Sequence, residues 1–166
     1  MGLLLLDLDG TLIPNALVEV DGKLQRRQHE LYTEPTLLPN RYEVLKKAAE
    51  EGDSFAIVTN QGGVAWGYHT QGEVYARIAC TLRQLSFFWA RPFSVHVAFM
   101  HPRATVPAFK GDDGRKPSPF MIGEALGAHH AHADIDTALM VGDRDEDREA
   151  AESAQVDFVF AEEFFA

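Results

Sequence analysis

Two aspartates, Asp7 and Asp9, follow the apolar run Leu3-Leu4-Leu5-Leu6 and flank Leu8. Residues two apart on an extended chain project from the same side. Two ionised carboxylates so placed repel each other unless a cation sits between them, and hard oxygen ligands of this kind suit Mg²⁺. Such a cation could neutralise a bound phosphate and leave one aspartate free to attack phosphorus. Asp143, after a later apolar run, could supply a third carboxylate. Either Asp7 or Asp9 alone is as readily a turn acid. The whole string Asp7-Leu8-Asp9-Gly10-Thr11 arises by chance roughly once in several hundred chains of this size.

Three further clusters carry groups suited to a phosphate. They are Thr59-Asn60-Gln61-Gly62-Gly63, Arg115-Lys116-Pro117 and Gly142-Asp143-Arg144-Asp145-Glu146-Asp147. In isolation Thr59 is a β-branched strand residue and Lys116 a solvated lysine. A glycine pair is a weak sign of an anion nest. Trp66 and Tyr68 could stack on a substrate ring or simply pack. Cys80, the single cysteine, reads as a packing residue. His129, His130 and His132 have metal-ligand spacing but fall after Gly127, in an expected loop.

Short apolar runs alternate with helical patterns and would position these clusters. Residues 3–8, 55–58, 95–99, 138–141 and 158–160 read as buried strands of a parallel sheet. Asn40 is expected to cap a helix, with Glu43 completing a capping box and Gly52 ending it. Residues 71–89 place Val74, Ile78, Leu82, Leu85 and Trp89 on one stripe. Ser118 and Pro119 would open a further helix, and Ala150, Ala151 and Ala154 fit a short one after Asp145. The order predicts an α/β fold: a doubly wound, Rossmann-like parallel sheet of about five strands. The clusters then lie at strand C-termini, where such sheets hold ligands. The expected organisation is one domain over 1–166, with loop insertions near 13–39 and 100–117.

Charge and cysteine content exclude several classes. The 166 residues carry 15 Lys and Arg against 25 Asp and Glu, a net charge of −10. Such a surface repels phosphate backbones at long range, so nucleic acid is disfavoured as a partner without being excluded. One cysteine rules out an internal disulfide framework and a four-cysteine zinc site. The first apolar run is too short to span a bilayer, and no basic stretch precedes it. No membrane partner and a cytoplasmic location are expected.

Taken together, the motifs resemble those of the haloacid dehalogenase superfamily of phosphatases. Asp-x-Asp-Gly-Thr is matched at Asp7, Asp9, Gly10 and Thr11, and the strand-end Thr or Ser at Thr59. The lysine before a helix is matched at Lys116, and Gly-Asp-x-x-x-Asp at Gly142, Asp143 and Asp147. Order and spacing agree across nearly the whole chain. The resemblance implies that Asp7 is the nucleophile and Asp9 the general acid, then base. It implies Mg²⁺ held by the Asp7 and Asp143 carboxylates and the Asp9 backbone carbonyl. Thr59, the Asn60 backbone N–H and Lys116 would hold phosphoryl oxygens, and Asp147 would orient Lys116 or a metal-bound water.

The run Thr59-Asn60-Gln61-Gly62-Gly63 and the sequence Arg115-Lys116-Pro117-Ser118-Pro119 narrow the resemblance. They are similar to the branch holding histidinol-phosphate and heptose-bisphosphate phosphatases and polynucleotide 3′-phosphatases. The branch implies no large cap domain and substrate-binding roles for Gln61 and Arg115. Two departures stand out: Leu8 replaces an arginine, and the cysteines of a zinc loop are missing before Arg115. His96 and His101 alone make a poor structural site, so no structural zinc is expected. His101 could instead touch substrate. The leading expectation is a Mg²⁺-dependent phosphomonoesterase acting on a small phosphorylated metabolite. The alternatives are a 3′-phosphatase on DNA or RNA ends and a non-catalytic phosphate- or partner-binding protein. The 3′-phosphatase would need a local basic groove from Arg26, Arg27, Arg103, Lys110, Arg115 and Lys116. A capless enzyme can also use a neighbouring subunit to cover its site, so an oligomer is allowed.

Overall fold

A computed structural model describes residues 1–166. Five strands form one parallel sheet: β1 (Leu3–Leu6), β4 (Ser54–Asn60), β5 (Phe93–Ala98), β6 (Leu139–Gly142) and β7 (Asp157–Phe160), in the order β5-β4-β1-β6-β7. β2 (Leu17–Val20) and β3 (Lys23–Arg26) form a separate antiparallel hairpin. The helices are α1 (His29–Thr33), α2 (Arg41–Glu51), α3 (Gln71–Gln84), α4 (Phe120–His129), α5 (Asp145–Ser153) and α6 (Ala161–Phe164).

All four β1 leucines are buried because a core covers each face of the sheet. Leu4 and Leu6 join Leu45, Val74, Ile78 and Leu82 from α2 and α3. Leu3 and Leu5 join Ala56 and Val58 with Met121, Ile122, Ala125, Ala150 and Ala151 from α4 and α5. The chain reverses direction across β1, whose neighbours are β4 and β6. The strand ends around that reversal form the crevice expected of a doubly wound sheet.

Several local expectations are corrected. Asn40 sits in the left-handed region (φ 66°) and makes no cap bond. Its Nδ2 instead donates to the Phe165 carbonyl (3.0 Å), tying the start of α2 to the chain end. Gly52 does end that helix, with φ 100°. The 71–89 helix stops at Gln84, and a 3₁₀ turn (Ser86–Ala90) follows. Phe88 turns inward to stack on Phe55 (4.0 Å between ring centroids), so Trp89 leaves the stripe and is exposed. A Thr70–Glu73 capping box opens α3. Pro119 is the N-cap of α4, and Ser118 Oγ accepts the Phe120 N–H (3.3 Å).

Residues 13–39 are more ordered than a loop. Asp21 (φ 51°) and Gly22 (φ 73°) both adopt positive φ, as a two-residue hairpin of the primed type requires. Asp-Gly between Val-Glu-Val and Lys-Leu-Gln was the available signal. Burial alternation gave none, since the hairpin is largely exposed on both faces. His129 is also not in a loop: it ends α4, buried, with Nε2 3.0 Å from Ser94 Oγ.

Candidate active site

Asp7 follows β1 and Lys116 precedes α4, yet they meet in the interior. The ammonium group has three protons and no lone pair, and all three are used. Lys116 Nζ donates to Asp7 Oδ1 (2.7 Å), Asp147 Oδ1 (2.5 Å) and the Val58 carbonyl (2.8 Å). Asp7 is 7% exposed, and Lys116 and Asp147 1% each. One cation between two carboxylates, with a carbonyl for the third proton, keeps this cluster from being an unpaired buried charge. Burial works against the Lys116 charge, but Asp7 and Asp147 outweigh it and hold its pKa above the ordinary lysine range. Burial pushes the Asp7 carboxyl up to about 7, with Lys116 pulling the other way. A cation beside Asp7 would favour its ionised form further.

The motif glycines are there because of these acids. A Cβ on Gly142 would lie 2.5 Å from the Asp147 Cβ. One on Gly10 (φ 83°) would collide with Asp143 Oδ2. Asp147 also caps its own helix, Oδ2 accepting the Arg144 N–H (3.1 Å) at the positive end of α5.

One oxygen from each of Asp7, Asp143 and Asp147 fits within a 4.8 Å span. Asp143 Oδ1 is buried with no hydrogen-bond partner, and burial raises the pKa of this carboxyl. An orphaned carboxylate oxygen beside two other carboxylates is a donor set suited to a hard divalent cation. The Asp9 carboxylate lies outside this set. Its Oδ1 accepts from Arg77 Nη2 (2.6 Å) and Nε (3.1 Å), and its Oδ2 from Gln61 Nε2 (2.7 Å).

The Thr59 cluster is divided among several tasks. Thr59 is 1% exposed, and its hydroxyl accepts from Gln61 Nε2 (2.9 Å). The Asn60 side chain clamps the Lys116 peptide group: Oδ1 accepts the Lys116 N–H (2.9 Å) and Nδ2 donates to the Lys116 carbonyl (3.0 Å). The second and third motifs are thus joined by two hydrogen bonds. Gly62 and Gly63 are packing glycines, since added Cβ atoms would lie 2.9 Å from Arg115 Nη1 and 2.8 Å from His69 Cδ2.

A cavity of about 560 Å³ opens over this floor. Asp7, Asp9, Asn60, Gln61, Arg115 and Asp147 line it, whereas Thr59 and Lys116 do not reach its surface. Trp66, Tyr68, His101, Leu17 and Leu24 give it an apolar and aromatic side. Arg115 Nη1 is buried there without a partner. The basic groove that a 3′-phosphatase would need is not assembled at this cavity from all of the residues expected for it. Arg26 is paired with Glu73 (2.6 Å), Lys116 is buried, and Arg103 and Lys110 are not among the lining residues. His96 is also elsewhere, on β5 against Ser94 Oγ (2.9 Å).

Arg77 and His69 were missed in the sequence, and Arg144, inside the Gly142–Asp147 cluster, was given no role of its own. Arg77 is wholly buried between Val74 and Ile78 of the apolar stripe. A charged residue on a buried helix face was the available signal. His69 lines the cavity from a position with no motif spacing, and Arg144 from a variable position of the Gly-Asp-x-x-x-Asp motif.

Fold and site together define a phosphatase of the haloacid dehalogenase superfamily. Residues 3–166 match the model of the family described as polynucleotide kinase 3 phosphatase, and the chain belongs to that family. It is 29% identical over 146 residues to D-glycero-beta-D-manno-heptose-1,7-bisphosphate 7-phosphatase of Rhodopseudomonas palustris, spanning 86% of this chain and 80% of that protein. The Escherichia coli protein of the same description is 29% identical over 115 residues, which cover 69% of this chain and 59% of the relative. Among solved structures, a HAD-like protein of Mesorhizobium loti superimposes with a TM-score of 0.69 at 27% identity, covering 94% of this chain and 69% of that one. The fold is shared with D,D-heptose 1,7-bisphosphate phosphatase of B. bronchiseptica, complexed with magnesium and phosphate. That match has a TM-score of 0.70 at 21% identity and covers 95% of this chain and 79% of that one. No helix is long and apolar enough to cross a membrane.

Proposed function

We propose that this protein is a Mg²⁺-dependent phosphomonoesterase that hydrolyses a small sugar-phosphate-type metabolite through an aspartyl-phosphate on Asp7. The carrying observation is the convergence of Asp7, Lys116 and Asp147 under the cavity, with Asp143 beside them. Lys116 fixes Asp7 Oδ1, which leaves Oδ2 to attack phosphorus. The new bond joins Asp7 to phosphorus, and the bond from phosphorus to the leaving oxygen breaks. Asp9 donates a proton to that oxygen, then takes one from the water that hydrolyses the aspartyl-phosphate. Inorganic phosphate leaves and Asp7 is regenerated. Lys116 stays in place and offsets charge on the phosphoryl group. Asp7 and Asp143 would hold Mg²⁺, which when bound offsets the negative charge of the phosphate and of the carboxylates that face it.

The cavity supports a small substrate. Its lining cations are Arg115 and Arg144, facing Asp7, Asp9, Glu146 and Asp147. The unpartnered Arg115 Nη1 suits a second anionic or hydroxyl group of such a substrate. The heptose-bisphosphate phosphatase relatives agree with this class. The family description favours a second reading, hydrolysis of a 3′-phosphate on a nucleic-acid end.

Phosphate release from sugar and histidinol phosphates, and from 3′-phosphorylated oligonucleotides, with Mg²⁺ or chelator, tests both. The expected result is Mg²⁺-dependent preference for the small molecules. Preference for oligonucleotides, declining with added salt, would establish the second reading. Equal turnover in chelator would overturn the metal role.

A further inference from the structure

Arg77 is among the largest fully buried side chains of the molecule, and every nitrogen of its guanidinium is engaged beside the site. Nε and Nη2 both donate to Asp9 Oδ1 (3.1 and 2.6 Å). Nη2 also donates to the Pro14 carbonyl (2.5 Å) and Nη1 to the Tyr32 carbonyl (2.6 Å). One face of the guanidinium lies 4.6 Å from the centre of the Tyr32 ring. That ring stacks in turn on His69 (3.7 Å, 8° between planes). A planar fork held on two carbonyls and an aromatic face has little freedom left. It therefore fixes the carboxylate to which it is bonded.

The two Asp9 oxygens are not equivalent. Oδ1 points to Arg77, which does not line the cavity, and it already accepts two hydrogen bonds. Oδ2 points to Gln61, which does line the cavity, and it accepts one. Only Oδ2 keeps a free lone pair on the side where a substrate would sit.

We propose that Arg77 is a positioning residue that turns the Asp9 carboxylate so that Oδ2 exchanges the proton with the leaving oxygen. The proposal rests on the phosphatase reading above. Arg77 touches neither substrate nor phosphorus and acts only through Asp9. Positioning of this kind matters most where the leaving oxygen most needs a proton. A leaving group that departs readily as its anion bypasses Asp9.

The test compares 4-nitrophenyl phosphate with benzyl phosphate, similar in size but with acidic and very weakly acidic leaving groups. Arg77→Met is expected to lower kcat/KM about 100-fold for benzyl phosphate and about 3-fold for 4-nitrophenyl phosphate, mainly through kcat. Arg77→Lys keeps the charge but not the fork, and should give the same split at smaller size. It also preserves the test should Arg77→Met fail to fold. Asp9→Asn should show the same split, and Arg77→Met added to it should change little further. Tyr32→Leu removes the aromatic face under the fork but leaves its hydrogen bonds, so it should give the same split at smaller size. Proportional losses in the Arg77 variants, or none, would overturn the proposal while leaving the phosphatase reading standing. No turnover of either ester by the unaltered protein would overturn both.

Discussion

The floor and the roof of the cavity are built on different principles. On the floor, Asp7, Thr59, Lys116 and Asp147 are each no more than 7% exposed, and every proton of the Lys116 ammonium has a partner. On the roof, Leu24 of the hairpin is 72% exposed and Tyr68 47%. The floor is held by the ends of β1 and β4, the first turn of α5 and the segment before α4, all packed against the core. The roof is supplied by the hairpin and by the segments around Tyr68 and His101, which rest on the core without belonging to it. Chemistry and substrate choice are therefore separable here. A floor residue cannot change without disturbing the reacting groups, whereas a roof residue can.

The sharpest break should come at Asp7. Asp7→Asn removes the proposed nucleophile but keeps the shape, and turnover is expected to fall about 10⁴-fold or more, measured as phosphate release. Next comes Lys116→Met, which leaves Asp7 and Asp147 facing each other in the interior. We expect a loss of about 3–5 kcal/mol in denaturant unfolding, along with activity. A loss below about 1 kcal/mol would mean that the floor is softer than its hydrogen bonds indicate.

His69 stands between the two regions, 6% exposed and stacked under the roof on Tyr32. Burial, then Arg26, lowers its pKa from 6.5 to about 4. Unfolding releases the ring to take up a proton, so between these values the unfolded chain binds more protons. The His69 contribution is complete above pH 6.5 and lost as pH falls toward 4. Relative to His69→Gln, the unaltered protein should lose about 3 kcal/mol over that window, read from unfolding curves at each pH. Parallel curves would mean that the ring is solvated in the folded state.

The smallest effect belongs to the roof. Leu24→Ser should change stability by less than about 0.5 kcal/mol and leave kcat nearly unchanged. KM for the preferred phosphate should shift a few-fold, since about one apolar contact is lost. A large fall in kcat would show that the roof takes part in chemistry and would erase the distinction.

Legibility in the sequence follows the same division. Asp7, Thr59, Lys116, Asp143 and Asp147 were readable because each lies at a strand end, just before a helix or in a helix's first turn, with the spacing its motif requires. The parallel sheet was readable because strands covered on both faces are continuously apolar. The hairpin was not, because exposed strands carry no burial pattern and only Asp21-Gly22 marked it. Arg77 was hidden among the apolar residues of α3, since the partners that make a buried guanidinium tolerable lie 45 to 68 residues away in the chain.

By itself the sequence determined the kind of chemistry and the layers that carry it. Motif spacing and hydrophobic periodicity are local properties that the chain states directly. Tertiary structure alone decided how the groups are shared. It gave Lys116 to Asp7, Asp147 and Val58, the Asn60 side chain to the Lys116 peptide, and the two Asp9 oxygens to Arg77 and Gln61. Hydrogen bonds depend on distances and angles that only the packed chain sets, so no spacing along the sequence could have chosen among these partners.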